Sequence, residues 1–534
     1  MSNDFSQLRF LIVDDFVDMR SVLRNMLSSF GITQIDMATN GKEAINIIEQ
    51  KRFDVILCDY NLGAGRDGQQ VLEEIRHRKL IGVGTVFVMV TAENTRVMVM
   101  GAVEYEPDSY LTKPFTKDLL GNRLSRLLNK KADLIEIEHA VNNLDYDLAN
   151  RLIDEKLAAK SQNRHILTRL KAELAILDKD FDQAEVIYRR VISKREMAWA
   201  KLGLGKAMFG KEQYEEAKQV FSDLIAENER FMAAYDWLAK TQQMLDEQQE
   251  AQKVLQKGVK LSAKAIPRQK ALGELALKNG DTKVAEAAFK DAISLGKHSI
   301  YKHPSMFSNI AQIKAKSGQQ DEAEKLARDI SKNFKDNPEA ELYTAITNAM
   351  VLKDEEAVKK NMQAATKLFN KLEGHASTEL AVDMAKACSH TGDEITAKQI
   401  LQQTASNNHT NPEILKDISD TLGDLKLEDN PEAFVSRIRK DIVKLNNDGA
   451  QLVRGGKLTE AMKLFEDAAE GMSANIIVNM NAARTFLMYM ENHGKENGLS
   501  AKLEKYLKRA SKIDPDNRTL INLQRRYERL DVKQ

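Results

Sequence analysis

Short apolar runs alternate with amphipathic stretches over residues 1–128 of the chain. Four runs, at residues 10–13, 55–58, 86–90 and 110–112, have the length of buried strands. After the first run, apolar residues recur at helical spacing and predict the core-facing side of a helix: Val22, Leu23, Met26, Leu27 and Phe30. This pattern is typical of an α/β domain with a doubly wound parallel sheet.

Each of the four apolar runs is followed by polar residues that can take part in chemistry. Asp14 and Asp15 follow the first run, Asp59 the second, Thr91 the third and Lys113 the fourth. Since ligands bind at the carboxyl ends of parallel strands, we expect these side chains to meet at one edge of the sheet. Three carboxylates there would repel one another without a cation such as Mg²⁺, and a lysine and a threonine beside them suit a phosphoryl group. The pattern therefore predicts that Asp59 becomes phosphorylated.

Residues 5–128 carry four motifs in order: the Asp14-Asp15 pair, CDYNL, VTAE and YLTKPF. With these motifs, about a quarter of the chain resembles the receiver domain of bacterial two-component response regulators. The resemblance implies a flavodoxin-like fold with a five-stranded parallel sheet over residues 1–128. It also implies that a histidine kinase donates the phosphoryl group. The receiver would catalyse only its own phosphotransfer and dephosphorylation, so we do not expect an enzyme in the wider sense.

The resemblance assigns the acidic residues to a phosphoacceptor and an Mg²⁺ site. Asp59 would accept the phosphoryl group and would also contact Mg²⁺. Asp15 would bind Mg²⁺ directly, Asp14 would do so through water, and Asn61 would contribute its backbone carbonyl. The alternative is a degenerate receiver that folds without being phosphorylated, but such copies usually lack the acceptor, one of the acid pair or the lysine, and all are present here.

The remaining family positions imply a conformational switch. Lys113 would contact the phosphoryl oxygens, Thr91 would move towards them, and Tyr110 would rotate inward. The face formed by the fifth strand and its neighbouring helices would then change shape. The chain departs from the family in two places: the loop at residues 62–68 lacks the usual Met-Pro and carries extra glycine, and residues 106–108 replace the usual Gly-Ala. These departures bear on kinase recognition and the exposed surface, not on the phosphoryl or metal groups.

Charge and cysteine content limit the partners and the compartment. The chain has 79 Lys and Arg residues and 79 Asp and Glu residues, so no overall field favours nucleic acid or an anionic membrane. With only two cysteines, a disulfide framework is excluded and the cytoplasm is favoured. No stretch approaches the roughly 18 apolar residues of a membrane span. We expect a cytoplasmic protein that binds neither nucleic acid nor a membrane, and a homodimer is left open.

Residues 133–534 show a longer period instead of the strand pattern. Three sets of residues recur at steps of 34 positions: Leu204-Gly205, Leu238-Ala239 and Leu272-Gly273; Ala217, Ala251 and Ala285; and Phe221, Leu255 and Phe289. Small residues let two helices approach closely, and the large apolar residue fills the gap to the next pair. The pattern resembles the tetratricopeptide repeat (TPR). It predicts an all-α superhelix of about nine or ten helical pairs with a capping last helix, the alternative being an irregular α-solenoid.

The first helix of each TPR lines the concave surface in that family. In the repeat register, this surface would include six residues that we expect to bind a protein partner: Trp199, Lys206, Phe209, Lys240, Lys270 and Lys278. Lys206 and Lys240, which lie one period of 34 residues apart, would stack in a stripe with aromatic residues at one end. The mixture suggests an acidic peptide or helix with apolar anchors, although solvated lysines are common on any solenoid.

Two functions from different classes remain open. Only residues 129–132 separate the last predicted receiver helix from the helical pattern, so we expect the two halves to be in contact. No phosphate-binding glycine loop, nucleophile elbow or DNA-reading helix-turn-helix is recognisable in the rest of the sequence. The chain is therefore a signalling adaptor, in which the receiver controls what the repeats bind, or a phosphoryl sink that titrates a kinase while the repeats anchor the complex.

Overall fold

The structure, a computed structural model, describes residues 5–82, 84–92, 107–132, 134–159, 163–335, 337, 339–495 and 497–532. The chain divides into two compact units, Met1–Met306 and Phe307–Gln534. Within these described ranges, no helix combines the length and the apolar character that crossing a membrane requires.

The first unit begins with a parallel five-stranded sheet in the order β2-β1-β3-β4-β5. Its strands are β1 (Arg9–Val13), β2 (Gln34–Ala38), β3 (Val55–Asp59), β4 (Val86–Thr91) and β5 (Ser109–Thr112). The described helices around it are α1 (Val17–Ser28), α2 (Gly41–Gln50), α3 (Gly68–His77) and α4 (Lys117–Ala132). This strand order is that of flavodoxin-like folds, so the prediction of a doubly wound five-stranded sheet is confirmed.

Helices cover both faces of the sheet, and this explains the continuous apolar strands. Leu11 and Ile56 pack with α2 and α3, whereas Ile12 and Leu57 pack with α1 and α4. Because successive side chains of a strand point to opposite faces, a strand that is covered on both faces must be apolar along its length. β3 is buried at every position. Asp59 therefore ends a strand that lies wholly in the interior.

Helix α1 departs from its predicted core face at one position. Leu23 and Leu27 are buried, and Met26 and Phe30 pack partly buried against the same cluster. Val22, however, is 43% exposed. It lies about 140° around the helix from Leu27, given 3.6 residues per turn, so it falls outside the stripe that one core face can cover.

The rest of the first unit is a series of helices. They are α5 (Ile135–Asn142), α6 (Tyr146–Ala158), α7 (Arg164–Leu177), α8 (Phe181–Lys194), α9 (Ala198–Gly210), α10 (Tyr214–Glu227), α11 (Met232–Met244), α12 (Gln248–Leu261), α13 (Ile266–Lys278) and α14 (Thr282–Leu295). A short 3-10 helix, Gly296–His298, follows. The prediction of an all-helical region after the sheet is confirmed.

The helices α9 to α14 repeat at the predicted period. The first helices of three pairs begin at residues 198, 232 and 266, and the second helices begin at 214, 248 and 282, so each series advances by the step seen in the sequence. A Cβ atom at Gly205 would lie 2.4 Å from the ring of Phe221, and one at Gly273 would lie 2.7 Å from Phe289. The close helix approach thus requires the small residue. Assignment of the helices to the TPR family stays a prediction.

The remaining helices include one that does not fit a simple repeat. They are α15 (Pro304–Lys316), α16 (Gln320–Asn333), α17 (Ala340–Val351), α18 (Glu355–Asn370), α19 (Thr378–His390), α20 (Glu394–Asn407), α21 (Pro412–Asp424), α22 (Pro431–Arg454), α23 (Leu458–Gly471), α24 (Ile476–His493), α25 (Asn497–Ile513) and α26 (Arg518–Val532). Helix α22 has 24 residues and packs against both α21 and α23. It is longer than the helices of 13 or 14 residues in the regular repeats, and the number of helical pairs stays a prediction.

The sheet domain joins the helices without an extended tether. Helix α4 continues through residues 129–132, and α5 begins at Ile135. Lys131 forms an ion pair of 3.1 Å with Asp108 and also donates to the carbonyl of Thr85. On α5, Glu138 is buried, and burial raises the pKa of its carboxyl to about 7. The end of α4 thus contacts the residues directly before β4 and β5, Thr85 and Asp108.

Candidate functional site

Three carboxylates meet at the carboxyl edge of the sheet. Asp14 and Asp15 follow β1, and Asp59 is the last residue of β3. One carboxylate oxygen from each of the three residues can be chosen so that all lie within 4.8 Å of one another. Asp14 and Asp59 are buried at 1% and 6% exposure. The adjacent, parallel β1 and β3 produce this cluster because both strands end at the same edge.

Burial and charge set the protonation of the acidic cluster. Burial raises the pKa of the Asp59 carboxyl to about 6. The ammonium of Lys113 opposes this rise, whereas the carboxylate of Asp14 adds to it. Asp59 is therefore ionised above neutral pH but sensitive to mild acid.

Lys113 follows β5 and neutralises two of the carboxylates. Its Nζ atom lies 2.9 Å from Oδ2 of Asp14 and 3.2 Å from Oδ2 of Asp59. Burial alone would lower the pKa of Lys113, but the hydrogen bond to Asp14 and the charges of both carboxylates raise it. The ammonium is thus held charged beside the Asp59 oxygen.

Asp15 carries the oxygen that the protein leaves unsatisfied. Its Oδ1 atom is buried and has no hydrogen-bond partner among the residues that the structure describes. A Cβ atom at Gly63 would lie 3.2 Å from the other oxygen, Oδ2, so the loop backbone passes close to this side chain. An unpaired buried carboxylate oxygen beside two further carboxylates fits a hard divalent cation such as Mg²⁺.

The loop after Asp59 is fixed by residues whose structural roles the sequence analysis did not identify. Gly68 starts α3, and a Cβ atom there would lie 2.1 Å from the backbone oxygen of Asp59. Its N–H donates to the carbonyl of Tyr60 at 2.8 Å. Asp67 caps the helix, and with Gln70 it forms a capping box. The acidic residue followed three positions later by Gln was the available signal.

The other residues expected at the site occupy the same edge of the sheet. Thr91 ends β4 beside Thr112 of β5, and its carbonyl accepts from the Lys113 N–H at 2.7 Å. Tyr110 is partly buried and packs against the core cluster on the α2–α3 side. Asn61 is exposed, two residues after Asp59. Their roles in switching and metal binding stay predictions. Of residues 106–108, which replace the usual Gly-Ala before β5, residue 106 lies outside the described residues.

The structure brings together part of the predicted concave stripe. The Nζ atoms of Lys206 and Lys240 lie 5.2 Å and 4.7 Å from the ring centre of Trp237, a residue that the sequence analysis did not single out. Lys240 also lies 5.5 Å from the ring of Phe209, and the two rings are 5.4 Å apart. Phe209 is only 5% exposed. It therefore packs in the core and is not an exposed anchor.

The other three residues of the predicted stripe have separate surroundings. Trp199 packs against Tyr188 at 6.1 Å, with the guanidinium of Arg169 5.8 Å from its ring. Lys270 pairs with Glu274 within α13 at 3.4 Å. Lys278 is exposed at the end of the same helix. Whether these residues bind a partner stays a prediction.

Residues 10–125 match the family model of the response regulator receiver domain. Chemotaxis protein CheY from Pseudomonas aeruginosa is 30% identical over 123 residues, which are 98% of that protein and 23% of this chain. The chain belongs to the response regulator receiver family. Its sheet domain is thus the receiver domain of a two-component response regulator, and a receiver is a signalling domain.

Two solved receiver structures resemble the same part of the chain. A two-component response regulator from Clostridium difficile is 30% identical, with 97% of its chain and 23% of this one covered and a TM-score of 0.21. The second is the receiver domain of a sensor histidine kinase from Pseudomonas aeruginosa, with a magnesium ion coordinated in its active site cleft. It is 27% identical, the match covers 98% of its chain and 23% of this one, and the TM-score is 0.21. Receiver domains bind Mg²⁺ at their acidic site, and this receiver has a cluster of three aspartates there.

Proposed function

We propose that this chain is a response regulator that a histidine kinase phosphorylates on Asp59, with a TPR superhelix as its output domain. The helical region would bind protein partners, so the chain would act as a signalling adaptor in the cytoplasm. One observation carries the proposal: Lys113 contacts Asp59 and Asp14 within a cluster of three carboxylates. A buried carboxylate with a neutralising ammonium beside it is the arrangement that phosphoryl transfer to an aspartate requires.

The metal would be held by the three aspartates of the cluster and by the loop after Asp59. Asp15 and Asp59 would be direct ligands, Asp14 would act through water, and the backbone carbonyl of Asn61 would complete the protein ligands. When bound, Mg²⁺ supplies positive charge that offsets the repulsion between the carboxylates and an incoming phosphoryl group. The fit rests on the unpaired Oδ1 of Asp15 and on the spacing of the three carboxylates.

The chain's own residues would carry the transfer. A carboxylate oxygen of Asp59 would attack the phosphorus of the donor as the bond to the donor's leaving group breaks. Lys113, already 3.2 Å from Oδ2 of Asp59, would then balance the added phosphoryl charge. The hydroxyl of Thr91 would donate to a phosphoryl oxygen, and Tyr110 would turn inward behind it. These two movements would change the surface beside β5.

The output side of the proposal rests on the lysine stripe. Lys206 and Lys240 lie around one partly buried tryptophan, Trp237, on successive repeats. Two ammonium groups beside an aromatic surface suit an acidic peptide or helix with an apolar anchor. Because Phe209 is buried, the anchor would meet Trp237 instead.

The phosphoacceptor assignment is tested by labelling. The full chain with a phosphoryl donor and Mg²⁺ should gain one hydroxylamine-labile phosphoryl group on Asp59, and Asp59→Ala should abolish it because the acceptor oxygen is removed. Asp36→Ala is the matched control, since Asp36 is a surface carboxylate paired with Lys51. Intact-mass spectrometry reads the result. Full labelling of the Asp59→Ala protein would refute the assignment.

The phosphoryl sink is the second candidate, and it is favoured only if the receiver works without the helices. In that case, Asp59→Ala should lose the function, whereas a chain truncated after Leu128 should retain part of it. An adaptor needs both halves, so both changes should give the same loss.

A further inference from the structure

The polar side of helix α3 is buried instead of facing water. Gln69 and Glu73 are exposed by only 5% and 3%. A helix on the outside of a sheet normally buries one apolar stripe and leaves its polar residues in solvent. Two elements therefore cover α3: the sheet on its apolar side, and another part of the first unit on its polar side.

The second cover is formed by the end of helix α14 and the segment that follows it. Oε2 of Glu73 accepts from the hydroxyl of Ser299 at 2.9 Å, and Nε2 of Gln70 donates to the carbonyl of Leu295 at 3.2 Å. The ring of His77 packs edge-on against Tyr301, with 6.3 Å between the ring centres. These contacts join residues more than 220 positions apart in the chain and lie along one side of α3.

Lys264 extends the same contact to the phosphoacceptor loop. Its Nζ atom lies 3.4 Å from the hydroxyl of Tyr60 and 5.5 Å from the centre of that ring. Burial raises the pKa of the Asp67 carboxyl, which caps α3, and the positive charge of Lys264 is one of the influences that oppose the rise. Lys264 therefore contacts Tyr60 at the start of the loop between Asp59 and α3, and its charge stabilises the ionised carboxyl of Asp67 at the end of that loop.

Tyr60 connects this contact directly to Asp59. Its backbone N–H is shared between the carbonyl of Val90, at 2.8 Å, and Oδ1 of Asp59, at 3.0 Å. Its hydroxyl lies 3.2 Å from Oε1 of Gln69 and 3.4 Å from Nζ of Lys264. Transfer of a phosphoryl group changes the charge and the size of the group that this N–H contacts. A readjustment of Tyr60 would reach Gln69 and Lys264 through the contacts of its hydroxyl.

We propose that residues 264–301 form an intramolecular docking site for α3 that favours the unphosphorylated receiver, with Lys264 as the positioning residue that links it to Asp59 through Tyr60. The inference rests on the proposed function and adds where the phosphorylation signal enters the helical region. Phosphorylation of either oxygen turns the Asp59 carboxylate into a mixed anhydride, so the Tyr60 N–H loses a charged acceptor and a contact of the docked arrangement is weakened.

Reciprocity makes the proposal measurable at the receiver itself. If phosphorylation weakens docking, then weakening docking must in turn strengthen binding of a phosphoryl group, up to the factor by which the two are coupled. Beryllofluoride with Mg²⁺ is the probe, because it mimics the phosphoryl group without turnover. In the full chain, Lys264→Ala should bind beryllofluoride about 5-fold or more tightly than the unchanged protein, in the range usual for coupled sites. Fluorine nuclear magnetic resonance of the bound probe gives the affinity.

Three variants make the result specific. Lys253→Ala is the matched control, since Lys253 is an exposed lysine of α12 that pairs with Glu250 of the same helix. Lys264→Arg keeps the charge and should stay close to the unchanged protein. Tyr60→Phe keeps the ring and the backbone N–H but removes the hydroxyl, so it should shift the affinity in the same direction as Lys264→Ala.

The outcomes separate this inference from the proposed function. Unchanged or weaker beryllofluoride binding by both Lys264→Ala and Tyr60→Phe, with Asp59 still labelled, would overturn the docking switch and leave the phosphoacceptor assignment intact. No binding by any protein, including the unchanged chain, would instead overturn the proposed function.

Discussion

Asp15→Ala should lower the Mg²⁺ affinity of the full chain by more than about 100-fold. Removing a residue that only supports a metal ligand commonly costs about 10-fold to 100-fold in affinity, and Asp15 is proposed as a direct ligand. Its Oδ1 atom is the buried carboxylate oxygen of the cluster that has no hydrogen-bond partner among the described residues. Labelling of Asp59 should fall in parallel, because the cation offsets the charge of the phosphoryl group. Isothermal titration calorimetry measures the affinity.

The pH of this titration matters because of Asp59. Burial raises the pKa of its carboxyl to about 6, so a proton competes with the metal below that pH. The affinity of the unchanged chain should therefore be constant above about pH 7 and fall as the pH drops through 6. Asp36→Ala, which removes a surface carboxylate paired with Lys51, should leave both the affinity and its pH dependence unchanged. An Asp15→Ala protein that keeps the original affinity would remove Asp15 from the metal site.

Gly68→Ala should destabilise the receiver by about 1–3 kcal/mol or more. The new Cβ atom would lie 2.1 Å from the backbone oxygen of Asp59 and 3.1 Å from the sulfur of Met89. A backbone oxygen cannot move aside as a flexible side chain can, so α3 must shift away from β3, and overpacking of this kind costs about 1–3 kcal/mol or more. The same shift would displace Tyr60, whose carbonyl accepts from the Gly68 N–H.

Local hydrogen exchange is the suitable measurement for Gly68→Ala, because a chain with two compact units need not unfold in one step. The opening free energy of the β1 and β3 amides should drop by the stated amount. Gly82→Ala is the control, since a Cβ atom there would have no heavy atom within 4 Å and its backbone is not left-handed. Equal exchange rates in the two variants would show that the close approach at Gly68 is easily relieved.

The receiver site could be predicted because its geometry follows from a simple rule. Parallel strands end at one edge, so polar residues after successive apolar runs must converge, and Asp14, Asp59 and Lys113 do so. The helices from α9 to α14 could also be predicted, because a fixed period in the sequence indicates that one supersecondary unit packs repeatedly. Both predictions use local regularity of the sequence.

Features that depend on contacts between residues far apart in the sequence could not be predicted from local patterns. The burial of Gln69 and Glu73 on α3 depends on residues near position 300, and nothing in the local pattern of α3 encodes that cover. The length of α22 also escaped prediction, since its 24 residues exceed the 13 or 14 of the helices that follow the regular period. Phe209 looked available because its repeat position faces the groove, but Trp237 of the next repeat covers it.

The central claim is that the state of Asp59 changes the helical region, and hydrogen exchange of the full chain with and without beryllofluoride and Mg²⁺ tests it most directly. We expect altered protection around Asp59, in residues 134–159 at the junction and in residues 264–301, and no change in the Asp59→Ala protein. A coupling of about 1–3 kcal/mol would change exchange by about 5-fold to 150-fold. Clear protection around Asp59 with unchanged exchange in both helical segments would contradict the claim and favour the phosphoryl sink.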